Sequence, residues 1–288
     1  MLPVFVLRSK LKPEYRIVII YLVVGALWIS FSDALVNVLF DDRERVAFFQ
    51  SIKGWFFVVA TSFLLFLLIR NDVRRITRLN RKIVESYDQT VLGWISVMDV
   101  RHKETKDHTE RVTKMAVTLA SLCGIRGKSR LKRLERGAIL HDIGKIGIAD
   151  SVLTKPGALT EPEWEQIKQH PIIAYNILSG IKFLKRSLHI PYCHHEKWDG
   201  TGYPQGLRGK EIPKEARIFA VVDVWDALIH PRVYKDAWPE ERVLQYLRDG
   251  SAKQFDPKVV DVFLAHYEEI KRLGGDSSGL SVRFLDPA

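Results

Sequence analysis

The sequence predicts an all-α protein in two parts, a pair of membrane-crossing helices followed by a helical body. Three observations carry this expectation. Two long apolar stretches stand near the N-terminus, Ile17 to Phe31 and Trp55 to Ile69. From about Val84 onward apolar residues recur mostly at helical spacing. No run alternates apolar and polar residues convincingly enough for a strand.

The first stretch reads IVIIYLVVGALWISF and continues more weakly to Phe40. The second reads WFFVVATSFLLFLLI and is extended upstream by Val46-Ala47-Phe48-Phe49. With these extensions, spans near 17–39 and 47–69 reach the roughly 20 residues that cross a bilayer. Both stretches lack Lys and Arg, and aromatic residues stand near their ends. A signal peptide fits poorly, because the apolar part is too long and no small-residue cleavage site ends it. A buried hairpin of a soluble protein is the other alternative.

Flanking charge predicts the orientation. Arg8, Lys10, Lys12 and Arg16 precede the first span, and Arg70, Arg74, Arg75, Arg78, Arg81 and Lys82 follow the second. The connection holds Asp41, Asp42, Arg43, Glu44 and Arg45, which nearly cancel. Basic flanks stay in the cytoplasm, so a multi-pass protein of the inner membrane is expected, with both termini and the helical body cytoplasmic. The outer loop is too short to fold as a sensor. Asp33 has two readings, an intramembrane functional carboxylate or a residue at the outer interface.

Beyond the second span, Val73, Ile76, Ile83 and Tyr87 share a helical seam with Asn80. The seam predicts a juxtamembrane helix over 71–95, either paired with its copy in a homodimer or packed on the helical body. The expected organisation is a membrane anchor over 1–70, this linker helix, a body over 85–273 and a Gly-, Ser- and Asp-rich tail over 274–288.

Charge narrows the partners. The chain has 44 Lys and Arg against 34 Asp and Glu, a net +10. Residues 1–82 hold 13 basic and 6 acidic residues, net +7, and 83–288 hold 31 and 28, net +3. The excess sits beside the membrane segment rather than on the body, which argues against binding a nucleic-acid polymer. Two cysteines, Cys123 and Cys193, cannot make a disulfide framework, and a reducing compartment is expected for the body.

The body is rich in metal-ligand chemistry. His141-Asp142 follows the apolar run Ala138-Ile139-Leu140, and a helix through this segment would place Lys145 on the face of His141, with Gly144 expected to end or loosen that helix. Glu104 and His108 are four apart in a predicted helical stretch from Asp88 to Leu122. His170 precedes Pro171, His194 and His195 are adjacent, and Asp223 and Asp226 lie three apart on one helical face. Imidazoles with carboxylates are the ligand set of Zn, Fe, Mn and related ions. So many donors exceed one tetrahedral ion and imply at least two, an arrangement suited to in-line displacement at phosphorus. The absence of paired thiolates argues against a structural zinc site.

In these stretches the chain resembles the HD-GYP domain, a branch of the HD superfamily of metal-dependent phosphohydrolases. The resemblance covers residues 85–270. It rests on Glu104-Thr105-Lys106-Asp107-His108, HDIGKIGI at 141–148, KPGALTEPEW at 155–164, His170-Pro171, HHEKWDGTGYP at 194–204 and IPKEARIFAVVDVWDAL at 212–228. Arg232-Val233-Tyr234-Lys235 and Phe255-Asp256-Pro257 complete it. It implies an HD-type helical bundle with metals between helices and hydrolysis of cyclic di-GMP, a bacterial second messenger, to pGpG and in some members GMP. It implies His108, His141, Asp142, His170, His194, His195 and Asp223 as ligands, with Asp142 bridging and also catalytic. Glu104 matches the extra ligand of three-metal members, so two or three divalent ions, Fe or Mn, are expected. Lys145 resembles the lysine on the scissile phosphate, and Arg232 and Lys235 the pair that grips substrate phosphates. Tyr203 stands in the Gly-Tyr-Pro loop, where the resemblance implies that it orders the turn beside the metals and binds substrate.

Ile229-His230-Pro231 and Val233 depart from the usual family pattern beside this phosphate grip. Cys193 reads as a packing residue or a further metal ligand, and Glu196 as an orienting partner for a ligand histidine or a plain salt bridge. The function these observations predict is a membrane-anchored cyclic di-GMP phosphodiesterase in signal transduction. The alternatives are an HD phosphohydrolase for another nucleotide, or a receptor or scaffold that binds without turnover. The membrane segment reads as a signal input or as a mere anchor.

Overall fold

A computed structural model describes residues 12–39, 42–102, 106–231 and 236–275. The chain divides into two compact units, with the boundary between Ser86 and Tyr87. Two helices enter the first unit, α1 (Pro13–Leu39) and α2 (Arg43–His102). They run antiparallel: Arg16, early in α1, pairs with Asp72 of α2 at 2.5 Å, while Asp33, late in α1, pairs with Lys53. Trp28 stacks on Phe56 with ring centroids 5.3 Å apart. Both helices are long and apolar enough to cross a membrane, and their apolar side chains are mostly exposed. Neither reading of Asp33 anticipated its lysine partner.

No proline interrupts residues 43–102, so α2 continues unbroken past the second apolar stretch. Val73, Ile76 and Ile83 of its seam are exposed. Further along, Val91, Ile95 and Met98 are buried with Leu140, Ala174, Leu178 and Leu184 in the second unit.

The second unit is a helical bundle. Its helices are α3 (Lys106–Leu122), α4 (Lys128–Ile139), α5 (Asp150–Leu153), α6 (Glu161–Ile167) and α7 (His170–Ser179). Then come α8 (His189–Cys193), α9 (Lys214–Ile229), α10 (Glu240–Asp249), α11 (Pro257–Ala265) and α12 (Tyr267–Gly275). No strand occurs among the described residues. The stretch expected to be one helix from Asp88 to Leu122 is described as two, α2 ending at His102 and α3 starting at Lys106.

Helix α3 packs against α4, α9 and α12. Val112, Met115, Ala116, Leu119 and Ala120 repeat at i, i+3, i+4, i+7 and i+8 and are fully buried, as a core-facing stripe requires. They meet Phe219 and Val222 of α9 and Phe263 of α11 in the main core. Ends are fixed locally. Thr160 and Glu163 form a capping box on α6, and Asp256 accepts from the Lys258 N–H at 3.0 Å to start α11.

Candidate metal centre

Helix α4 stops just before the His-Asp pair. The backbone tightens after Ile139, with Ile143 N–H donating to Leu140 C=O, and Ile143–Gly147 forms a 3-10 turn. The helix expected to run through His141 ends before it, and Gly144, expected to end or loosen that helix, lies in the tighter turn. The tighter turn has a steric cause. A Cβ on Gly144 would lie 1.8 Å from His170 C=O and 2.7 Å from Ala174 N, so only glycine lets this turn press against the start of α7. Lys145 reaches Asp142 Oδ2 at 2.5 Å, three residues back rather than along a helical face.

Four imidazoles converge on this turn, each held through Nδ1. His141 Nδ1 bonds Ala138 C=O at 2.8 Å, His170 Nδ1 bonds Ile167 C=O at 2.7 Å, and His194 Nδ1 bonds Ile190 C=O at 3.0 Å. His108 Nδ1 lies 2.6 Å from Asp226 Oδ2. A carbonyl or carboxylate accepts from Nδ1–H, which leaves Nε2 as the nitrogen each ring can offer a metal when that nitrogen carries no proton. The Nε2 atoms face inward. His170 and His194 Nε2 are 3.3 Å apart, both with lone pairs, and His108 Nε2 is 3.6 Å from Asp223 Oδ1. His141 Nε2 is 3.0 Å from Asp142 Oδ2.

Two donor triads result. His170, His194 and His195 form one, and His108, His141 and Asp223 the other, the ligand atoms within each lying no more than 4.8 Å apart. Asp142 stands between them. Its Oδ1 is 3.4 Å from His170 Nε2 and 4.0 Å from His194 Nε2, while its Oδ2 faces His141. A metal fits this donor set. His108 Nε2 is buried without a hydrogen-bond partner, a costly state that a cation would relieve. These imidazoles and carboxylates are suitable ligands for a divalent ion.

Charge in the centre is strongly perturbed. Burial, with the nearby His195, holds His194 well below the usual imidazole range, and burial also lowers His170. Burial beside His170 brings His195 down to about 3. These rings are therefore neutral near pH 7, the form that binds metal. Burial also acts to lower His141, but Asp142 beside it outweighs this and raises it to about 9. Burial would raise the Asp142 carboxyl, yet His141 and Lys145 hold it well below the carboxylate range.

Of the residues singled out in the sequence, His108, His141, Asp142, Lys145, His170, His194, His195 and Asp223 come together here. Tyr203 joins them, its ring stacked on His195 at 4.8 Å. Gly202 makes that possible, because a Cβ there would lie 2.3 Å from Lys197 N. Glu104, Arg232, Val233 and Lys235 lie outside the described residues. Cys193 is a packing residue, buried with Ile212 and Ala216, and burial pushes its thiol up to about 12. Glu196 follows neither of its readings. It accepts from the Gln205 and Leu207 N–H groups at 2.7 and 2.9 Å and so holds the Gly-Tyr-Pro loop.

Sequence reasoning noticed Asp226 and missed its task. Arg111 grips it at 2.8 and 3.0 Å, and His230, in the departing stretch, lies 3.2 Å from its Oδ1. Its spacing from Asp223 was the available signal. Arg101 of α2 was also missed. It bonds Asp150 Oδ1, Ile146 C=O and Ile148 C=O, each at 2.7 Å, and pins the segment that follows Lys145.

The HD domain family model matches residues 94–259, more than half of the chain, and the chain belongs to this family. Its Gly202-Tyr203-Pro204 loop beside the metal centre marks the HD-GYP branch. The cyclic di-GMP phosphodiesterase response regulator RpfG of Xanthomonas campestris pv. campestris is 40% identical over 204 residues, covering 70% of this chain and 54% of that protein. The 3'3'-cGAMP-specific phosphodiesterase 2 of Vibrio cholerae is 37% identical over 187 residues, covering 64% of this chain and 36% of that protein. The chain thus spans about half the length of RpfG. A solved structure of the V. cholerae cyclic GMP-AMP specific phosphodiesterase V-cGAP3 has the same fold, with a TM-score of 0.52 at 18% identity, over 67% of this chain and 52% of that one.

Proposed function

We propose that this chain is a membrane-anchored, metal-dependent phosphodiesterase that hydrolyses cyclic di-GMP to pGpG, with GMP as a further product to be tested. The observation that carries this reading is the pair of donor triads with the Asp142 carboxylate between them. The name of RpfG, a cyclic di-GMP phosphodiesterase, supports the substrate.

In this reading His108, His141, Asp142, His170, His194, His195 and Asp223 hold two divalent ions, Fe or Mn, and Glu104 adds a third where it is bound. Such ions supply a water acidic enough to attack at neutral pH and positive charge against a phosphoryl oxygen. The chain's own residues do the rest. Asp142, Lys145, His195 and Asp223 are only partly buried, so the centre is open on the side that carries the lysine. Lys145, held at Asp142, brings an ammonium to the charge that grows on the scissile phosphate. Arg232 and Lys235 grip the phosphates of the substrate. Tyr203 braces His195 and keeps the loop closed beside it.

The domain assignment in this proposal is an anchor over 1–70, a linker helix over 71–95, the phosphodiesterase over 85–273 and a tail over 274–288. The two apolar helices would cross the inner membrane with both termini cytoplasmic, and the exposed seam of α2 would pair in a homodimer. The test uses the full chain in detergent micelles loaded with Mn or Fe. Cyclic di-GMP should be linearised, His141→Ala should abolish this and Lys128→Ala should not. Full metal occupancy without turnover would overturn the proposal and favour a non-hydrolysing receptor.

A second reading is hydrolysis of 3'3'-cGAMP, favoured by the 37% identical relative named for it. A competition assay with both cyclic dinucleotides separates the two.

A further inference from the structure

A second cavity, of about 410 Å³, lies apart from the metal centre in the same helical unit. No metal-ligand candidate lines it. Arg130 and Arg133 come from the first turns of α4, Lys185 and Arg186 from the 3-10 turn Lys185–Ser187, and His189 from the start of α8. The single carboxylate on its wall, Glu215, is engaged by Arg130 Nε at 3.2 Å and lies 3.5 Å from His189 Nδ1. Among the described residues, Arg133, Lys185 and Arg186 face no carboxylate within ion-pair reach, and Arg133 donates only to Ser129 Oγ. The wall is not wholly polar, since Leu134 and Ile190 contribute an apolar floor. Ser187, also on the wall, has a buried hydroxyl without a hydrogen-bond partner.

A surplus of cations, an orphan hydroxyl and an apolar floor are complementary to a phosphate attached to a flat organic group. The volume falls within the roughly 300–1,000 Å³ of small-molecule sites and far exceeds inorganic phosphate. The separation from the metal centre follows from the helices. Arg133 and Ile139, the last residue of α4, are six residues apart, roughly 9 Å along the helix, and His141 lies beyond that end. The cavity sits at the starts of α4, α8 and α9, whereas His141-Asp142 and His194-His195 follow the ends of α4 and α8, and Asp223 lies further along α9.

We propose that this cavity is a binding site for a phosphate ester of nucleotide size, separate from the metal centre. Guanosine 5'-monophosphate and inorganic phosphate are the probes. Equilibrium dialysis is run on the full chain in detergent micelles, on its chelator-stripped form and on His141→Ala. All three should bind labelled guanosine monophosphate at one saturable site, at least tenfold more tightly than inorganic phosphate. Arg133→Glu with Arg186→Glu, placed in the His141→Ala background, should weaken binding at least tenfold. Arg133→Gln with Arg186→Gln, checked by its melting temperature, serves if the reversal disturbs folding. Absence of saturable binding, indifference to both pairs of substitutions, or equal affinity for inorganic phosphate would overturn the proposal. Turnover does not enter this test, so it fails or succeeds independently of the proposed phosphodiesterase.

Discussion

Asp226 Oδ2 lies 2.6 Å from His108 Nδ1, and this contact turns the free nitrogen of His108 towards Asp223. The carboxylate is itself anchored by Arg111, so a helix contributes one acidic residue to the centre and a second that sets the geometry of a neighbour. Asp226→Asn keeps the size and removes the charge. The expected outcome is a 10–100-fold loss of metal affinity, read by metal titration, with little change in helical content. Unchanged metal affinity would refute the orienting role.

Gly144→Ala would drive a methyl group into the His170 carbonyl. The expected cost is about 3 kcal/mol, because backbone rather than a mobile side chain must yield. Gly180→Ala meets nothing within 4 Å and has φ −71°, so it should change stability by less than about 1 kcal/mol. Thermal unfolding of the two variants side by side tests the contrast.

Removing metal should destabilise the helical body. Ligand at a hundred times its dissociation constant adds about 2.7 kcal/mol. For a body of this size that corresponds to roughly 5–10 °C in Tm. Scanning calorimetry before and after chelation, with readdition of Mn, measures it. An identical Tm in both states would contradict His108, with its buried and unpartnered nitrogen, and His141 as metal ligands.

Arg101 holds the segment behind Lys145 by a fork of three bonds. Arg101→Ala should lower kcat on the order of tenfold through a misplaced lysine while leaving metal content intact. Arg101→Lys should not restore it, since an ammonium cannot reproduce the planar fork. Steady-state kinetics with metal analysis decide.

Glu135 carries a pH signature. Burial raises its carboxyl to about 7, against the pull of Lys132 and Arg136. The folded state then holds a proton that the unfolded state releases from about pH 4.5 upward. Its contribution is therefore favourable at low pH and is lost as pH rises towards 7. Glu135→Gln should be more stable than the parent at pH 8, with the gain shrinking towards pH 5. Melting temperatures of both proteins across this range test it.

Much of the centre was legible because ligand chemistry is carried by residue type. His108, His141, Asp142, His170, His194, His195 and Asp223 were all recognisable as donors. The path of the chain around Lys145 was legible only in part, because Gly144 signals a loosened helix while the close approach of α7 that imposes a 3-10 turn is a tertiary contact. Glu196 shows the same limit. A carboxylate beside two histidines suggests a partner for one of them, yet the backbone N–H groups of Gln205 and Leu207 compete for it and win.

By itself the sequence determined the all-helical character, the two apolar helices and the donors available for a metal, since periodicity and side-chain chemistry are local properties. Only the tertiary structure decided which nitrogen of each imidazole faces inward. It also gathered Arg133 and Arg186 onto one cavity. These are outcomes of packing, in which groups far apart along the chain compete for the same hydrogen bonds and the same space.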